Sequence, residues 1–139
     1  MDRAEEILTA LQQIATTAGY TVERDRVYPI SGADMPLAVL RTGEEESVPL
    51  DNAPAHSWAS RWEMRPTIEV WLHDVDPDAL SAAGRSAFNA VREATVAHPT
   101  LLELLAHGQP PRMSVNFERI DDAPDVLAVE IGFELTFER

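Results

Sequence analysis

The residues of this chain equipped for chemistry are its acids, its arginines and its four histidines. His73-Asp74, followed by Asp76 and Asp78, has the composition of a metal cluster. Asp76-Pro77-Asp78, however, also reads as a helix start: an aspartate capping free amides, a proline in the first turn, and acid at the positive end of the dipole. Those duties account for the aspartates without a metal, and no further ligand set is evident. Asp121, Asp122 and Asp125 fall in a turn, where aspartate is common, and their spacing does not match a calcium loop. His56, His98 and His107 lie in loops or at helix ends, where a histidine can complement the dipole without being a base. Ser57, Ser60 and Ser114 have no nucleophile context. The chain has no G-x-S-x-G, phosphate-binding loop, dinucleotide glycine pattern or H-E-x-x-H. Without cysteine there is no thiol nucleophile, thiolate metal site or disulfide. These residues predict no enzyme, no cofactor and no metal.

Charge narrows the partners. The formal charge is −13, and all eleven basic residues are arginine. Nonspecific binding to nucleic acid needs clustered cations that displace counterions, which this balance opposes. Arg24 with Arg26, and Arg61 with Arg65, place cations on single strand faces, but acids neighbour both pairs. A sheet that reads RNA offers exposed aromatics flanked by basic residues, whereas Trp71 stands alone beside Glu69. The exclusive use of arginine fits a GC-rich coding sequence, or bidentate contacts to a partner's carboxylates.

The elements that position these residues are legible from periodicity. Leu127, Val129, Ile131, Phe133, Leu135 and Phe137 alternate with small or polar residues. That predicts a long strand over 125–139, near the middle of a sheet, with one apolar and one acidic face. Ile7, Leu8, Leu11 and Ile14 follow a 3.6-residue stripe, predicting a helix over 1–18 stopped by Gly19. A second helix runs from Asp76 to about His98, burying Leu80, Ala83, Ala87, Phe88, Val91 and Ala94 or Thr95. A short leucine-rich helix follows over 100–107. Strands are expected at 20–30, 35–41, 58–73 and 113–120, the last joined to the final strand as a hairpin. Pro66 inside the third implies a bulge or an exposed edge. Residues 42–57, holding Glu44-Glu45-Glu46, read as a long acidic loop. At 139 residues the chain is expected to form a single domain, 1–139. The class is α+β: one mixed or antiparallel sheet of about five strands, with two main helices and a short one on one face. No apolar run reaches the roughly 20 residues of a membrane span. The acidic, helical N-terminus is not a signal peptide, which favours a cytoplasmic setting.

In this order the elements resemble the tail terminator family of long-tailed bacteriophages and related tail-like particles, the minor tail protein U-like or tail-completion proteins. The resemblance covers nearly the full length. It rests on ILTALQQIA, on the early strand ending VYPI, and on MPLAVLRTGEEE running into a variable loop. RWEMRPTIEVWLHD before D-P-D and a helix continues it, and the paired strands MSVNFERID and VLAVEIGFELTFER close it.

The resemblance implies a non-enzymatic part. Such proteins form a ring, usually hexameric, on the head-proximal end of the tail tube. The ring stops tube polymerisation and receives the head's connector or stopper proteins, while DNA passes through the lumen without sequence recognition. The implied setting is the host cytoplasm during assembly and then the particle's tail, with no membrane. A ring needs two different complementary patches on each subunit. Glu44, Glu45 and Glu46 are the expected first patch, reaching a neighbour's arginines. Arg61, Arg65 and Trp71 are the expected second. Two rivals stand beside this reading. One is another neck component, such as a stopper or tube initiator. The other is a stand-alone ligand-binding module, which a pocket lined by Trp58, Trp62 or His73 would favour.

Overall fold

A computed structural model of the chain describes residues 2–48 and 60–139. Helix α1 spans Arg3–Thr17, with Ala4, Ile7, Leu8, Leu11, Ile14 and Ala15 buried along one stripe. It ends as expected at Gly19, whose φ is +107°. The Gly19 amide donates to the Thr16 carbonyl and the Tyr20 amide to that of Ala15, at 3.0 and 3.2 Å. This closes the helix with a left-handed glycine and two reversed hydrogen bonds.

Among the described residues, seven strands form one sheet. They are β1 (Val22–Arg24), β2 (Leu37–Arg41), β3 (Glu45–Ser47), β4 (Arg61–Met64), β5 (Thr67–His73), β6 (Arg112–Ile120) and β7 (Ala123–Glu138). Strand β7 pairs along one edge with β5 and β4, and along the other with β6. Strand β2 lies antiparallel to β5, and β1 parallel to β2. The long alternating strand is therefore interior, as its apolar row required. Leu127, Val129, Ile131, Phe133, Leu135 and Phe137 are all at most 2% exposed.

The expectation of about five strands and the seven observed differ through two interruptions at one level. Met64 faces Leu135 and Thr67 faces Gly132, so Arg65 and Pro66 lie opposite two residues of β7 and the register never changes. Strands β4 and β5 are thus one line, broken because Pro66 has no amide to donate; its carbonyl still accepts the Phe133 amide at 3.0 Å. On the other side Arg41 faces Thr67 and Glu45 faces Met64. Three residues, Thr42 to Glu44, therefore stand opposite two. The bulge that Pro66 led us to expect lies in the neighbouring strand, at Gly43. Gly43 has φ +70°, and a Cβ there would fall 2.1 Å from the Arg65 carbonyl oxygen.

Other boundaries also shift. The strand expected over 20–30 is limited to β1, and the remainder is a connection ending in a short 3₁₀ turn, Gly32–Asp34. Part of the expected acidic loop is strand, since Glu45–Ser47 pairs with β4; residues 49–57 of that loop, and Trp58, lie outside the described residues. The short helix is α3, Leu101–Leu104. A 3₁₀ turn follows in which His107 is left-handed at φ +53°.

Helix α2 spans Pro77–Ala97, and the Asp76 carboxylate accepts the Asp78 amide as the predicted cap. It buries Leu80, Ala87, Val91, Ala94 and Thr95, with Ala83 and Phe88 only half-buried. Gly84, absent from the expected stripe, is buried too. A Cβ there would come within 2.5 Å of Leu127, so the glycine sets how closely α2 lies on β7. Both long helices pack on the face of the sheet that carries the β7 apolar row.

Candidate assembly surfaces

The opposite face of the sheet has two parts. Beside β2, Leu37 and Val39 point away from the helices yet are only 3% and 0% exposed. Because β1 and β2 are parallel, the connection 25–36 must return the length of β2, and it crosses this face. Arg41 donates to the Arg26 carbonyl near one end. Gly32 lies against the His73 ring near the other. Arg26 fastens the strap, with Glu23 at 2.8 Å and Asp34 at 3.2 Å. Trp71 sits beside this patch, facing Leu37 and Ala128 across the sheet, and donates its indole N–H to Glu69 at 3.2 Å. Trp71, which stands alone beside Glu69 in the sequence, therefore has an apolar row to join.

The rest of that face, over β4, β7 and β6, is a charged quilt. Arg65 is its centre, with Glu63 at 2.6 Å and Glu46 and Glu134 each at 3.7 Å. Glu46 and Glu63 are directly opposite one another. Two like charges in register are unfavourable, and the guanidinium between them offsets the repulsion. Arg61 donates to Glu138 at 2.9 Å and to His107 Nε2 at 2.7 Å. Arginine cannot accept a hydrogen bond, so it is the donor in both contacts. Gly132 leaves a notch of about 310 Å³ between Arg65, Thr67, Arg112 and Ser114, with Glu130 and Glu134 beside it.

Of the six predicted contact residues, the structure brings together Glu46, Arg61 and Arg65. Glu46 and Arg65 are paired within one chain, and Arg61 lies on the same strand. Glu45 points to the helix face, where Arg139 holds it at 2.9 Å. Glu44 uses its carbonyl to accept the Arg65 amide, and its side chain is exposed. Trp71 lies six residues along the strand from Arg65, roughly 20 Å at a strand's rise. Arg139 was missed by sequence reasoning. It stacks over Trp62 at 4.6 Å and pairs with Asp2 at 3.0 Å as well as with Glu45. Only its place one step past Glu138 in the alternation hinted at which face it would reach.

Of the residues whose pocket would favour a ligand-binding module, Trp58 lies outside the described residues, and Trp62 and His73 do not meet. They stand at opposite ends of the β4–β5 line, roughly 36 Å apart at a strand's rise, and the Trp62 face is taken by Arg139. His73 is bound to Asp125 at 2.7 Å. Asp74 accepts the Asp76 amide, and among the described residues no group of three or more potential ligands is placed to hold a metal. No helix among them is long and apolar enough to cross a membrane.

Several carboxylates are held below their ordinary range. Arg139 does this for Asp2, Arg24 for Glu5, and Arg61 for Glu138. The Ser31 amide and hydroxyl act on Asp34. The Thr42 hydroxyl and amide act on Asp25, the residue that opens the strap with φ +50°. A carboxylate with a lowered folded pKa stabilises the fold above its unfolded value and loses that contribution as pH falls through the folded value. Asp25→Asn is therefore expected to be less stable than the parent at about pH 6, with a smaller gap at a pH well below the ordinary aspartate value of about 3.9. Urea midpoints of both proteins at the two pH values check this. An equal gap at both would remove the ionised carboxylate from the explanation.

No family model matches the chain, and no curated protein does. Among solved structures, a chain from the virion of a native gene transfer agent (GTA) particle is similar at a TM-score of 0.49 and 16% identity. The match covers 98% of this chain and 92% of that one. A score and an identity that low leave both family and role unassigned by the comparison.

Proposed function

We propose that this chain is a structural protein of a phage-like tail: a terminator that closes into a ring, six copies in the expected form, on the head-proximal end of the tail tube. It halts tube polymerisation and offers the surface to which a head connector or stopper binds. The observation that carries this reading is the element order. The whole-chain resemblance read from sequence rests on a helix, early strands, a long strand, a D-P-D helix and paired closing strands. The chain folds in that order. The chain's formal charge of −13 agrees with the lumen role, since a like-charged wall lets DNA slide without sticking. The reading assigns no catalytic step, cofactor or metal.

Glu44, Glu45, Glu46, Arg61, Arg65 and Trp71 are the proposed contacts with neighbouring subunits. Glu46 and Arg65 are exposed enough to exchange their intrachain pairing for an intersubunit one, at 70% and 41% side-chain exposure. Exposed pairs contribute little to stability, about 1 kcal/mol or less, so the exchange is cheap.

Sedimentation with negative-stain imaging tests the reading. Six-fold rings with an open lumen are expected, either alone or on adding preassembled tube protein as a template. Failure to form rings or to cap tubes in both settings would end the terminator proposal. Reversing Glu44, Glu45 and Glu46 to arginine is expected to abolish rings while circular dichroism stays native. Rings that persist in that variant would move the contact elsewhere.

A further inference from the structure

Strand β6 pairs with β7 along one side, and among the described residues no strand pairs with its other side. The free edge runs from Arg112 to Arg119 before a register shift at Ile120. Proline, an early bulge or a very short strand would protect such an edge, and this stretch has none of them. Its residues alternate cleanly. Met113, Val115 and Phe117 are half-buried against the core on the helix side, while Arg112, Ser114, Asn116 and Glu118 are exposed on the other. Arg112 is 87% exposed in its side chain, with only a 3.5 Å approach to Glu134. Glu118 has no ion pair among the described residues.

We propose that the free edge of β6 pairs with the same edge of a second copy, antiparallel about a two-fold axis at Val115. Backbone donors point outward at alternate residues only, so an edge-to-edge ladder restricts the allowed registers to steps of two. Of these, the register centred on Val115 is the one that sets Arg112 of each copy opposite Glu118 of the other. Symmetry makes that pair twice. The same register sets Met113 opposite Phe117 and Ser114 opposite Asn116, so both faces continue across the axis. Shifting it so that Arg112 meets Arg112, or Glu118 meets Glu118, puts like charges in register, which is unfavourable. The edge therefore specifies its own partner through charge. This contact is isologous and distinct from the head-to-tail contacts of a ring. It joins two monomers, or two rings.

Sedimentation velocity of the full chain over about 10–200 µM reads the contact as a doubling of mass. Arg112→Glu and Glu118→Arg, each creating two like-charged pairs across the axis, are expected to weaken the doubling about tenfold or more. The double variant is expected to restore it. Both positions are exposed, and circular dichroism verifies the fold. Independently, Val115→Cys in this cysteine-free chain is expected to give a single disulfide-linked dimer under mild oxidant, without the charge changes. Absence of doubling, single reversals without effect, a double variant that fails to recover, or no crosslink would each overturn the proposal.

Discussion

Phe133→Ala is expected to cost about 3–5 kcal/mol of unfolding free energy, a large share of the about 5–15 kcal/mol typical of a domain. The phenyl ring is 1% exposed and among the largest side chains fully enclosed by the core. Its removal forfeits transfer energy and leaves a void. That void is hard to close, because the backbone here is pinned from several directions. The Phe133 amide donates to the Pro66 carbonyl, and its neighbours β5, β4 and β6 flank β7 on both edges. Urea titration with an unchanged m-value checks the loss. A midpoint within error of the parent would mean that the cavity collapses. The parallel expectation for assembly is that rings disappear with the fold, so an assembly defect in this variant says nothing about contacts.

Gly43→Ala is expected to lose about 2–4 kcal/mol, although the position is exposed. Two penalties add. A residue with a Cβ is held at φ +70°, and the Cβ meets backbone, the Arg65 carbonyl oxygen at 2.1 Å and its carbon at 2.8 Å. A flexible side chain could swing aside, but a carbonyl in an interior strand cannot. Gly19→Ala is the control. Its φ is +107° with nothing within 4 Å of the added atom, so only conformational strain is lost there, about 1 kcal/mol. If the two substitutions cost the same, the close approach to Arg65 contributes nothing.

Much of this fold was legible because alternation and the helical stripe are local signals. The interior place of β7, the Asp76 cap and the Gly19 stop each follow from residue types within one or two turns. What stayed hidden depends on neighbours distant in sequence. Three successive glutamates have poor strand propensity, and Glu45–Ser47 is a strand only because β4 offers it a ladder. Gly84 has no place in the apolar stripe of its helix, and only the approach of Leu127 and Phe117 gives it a role. For the candidate surfaces, the sequence marked Glu46, Arg65 and Trp71 as residues needing partners. It could not say that Arg65 would find three acids in its own chain, or that Leu37 and Val39 would give Trp71 an apolar neighbourhood. The strap that completes that neighbourhood exists because β1 and β2 run parallel, and no local pattern encodes that.

The paired interruption at Gly43 and Pro66 has a bearing on how the chain finds its pairing at all. A slip of one residue turns every side chain to the wrong face and is rejected by burial. A slip of two returns each side chain to its own face, so the alternation that builds this sheet is blind to it. Proline and a left-handed glycine are not. Pro66 is tolerated in an interior line only where the strand beside it is already irregular, and Gly43 admits the Arg65 carbonyl only when the two stand side by side. Together they act as an alignment mark, legible to the folding chain at a single setting.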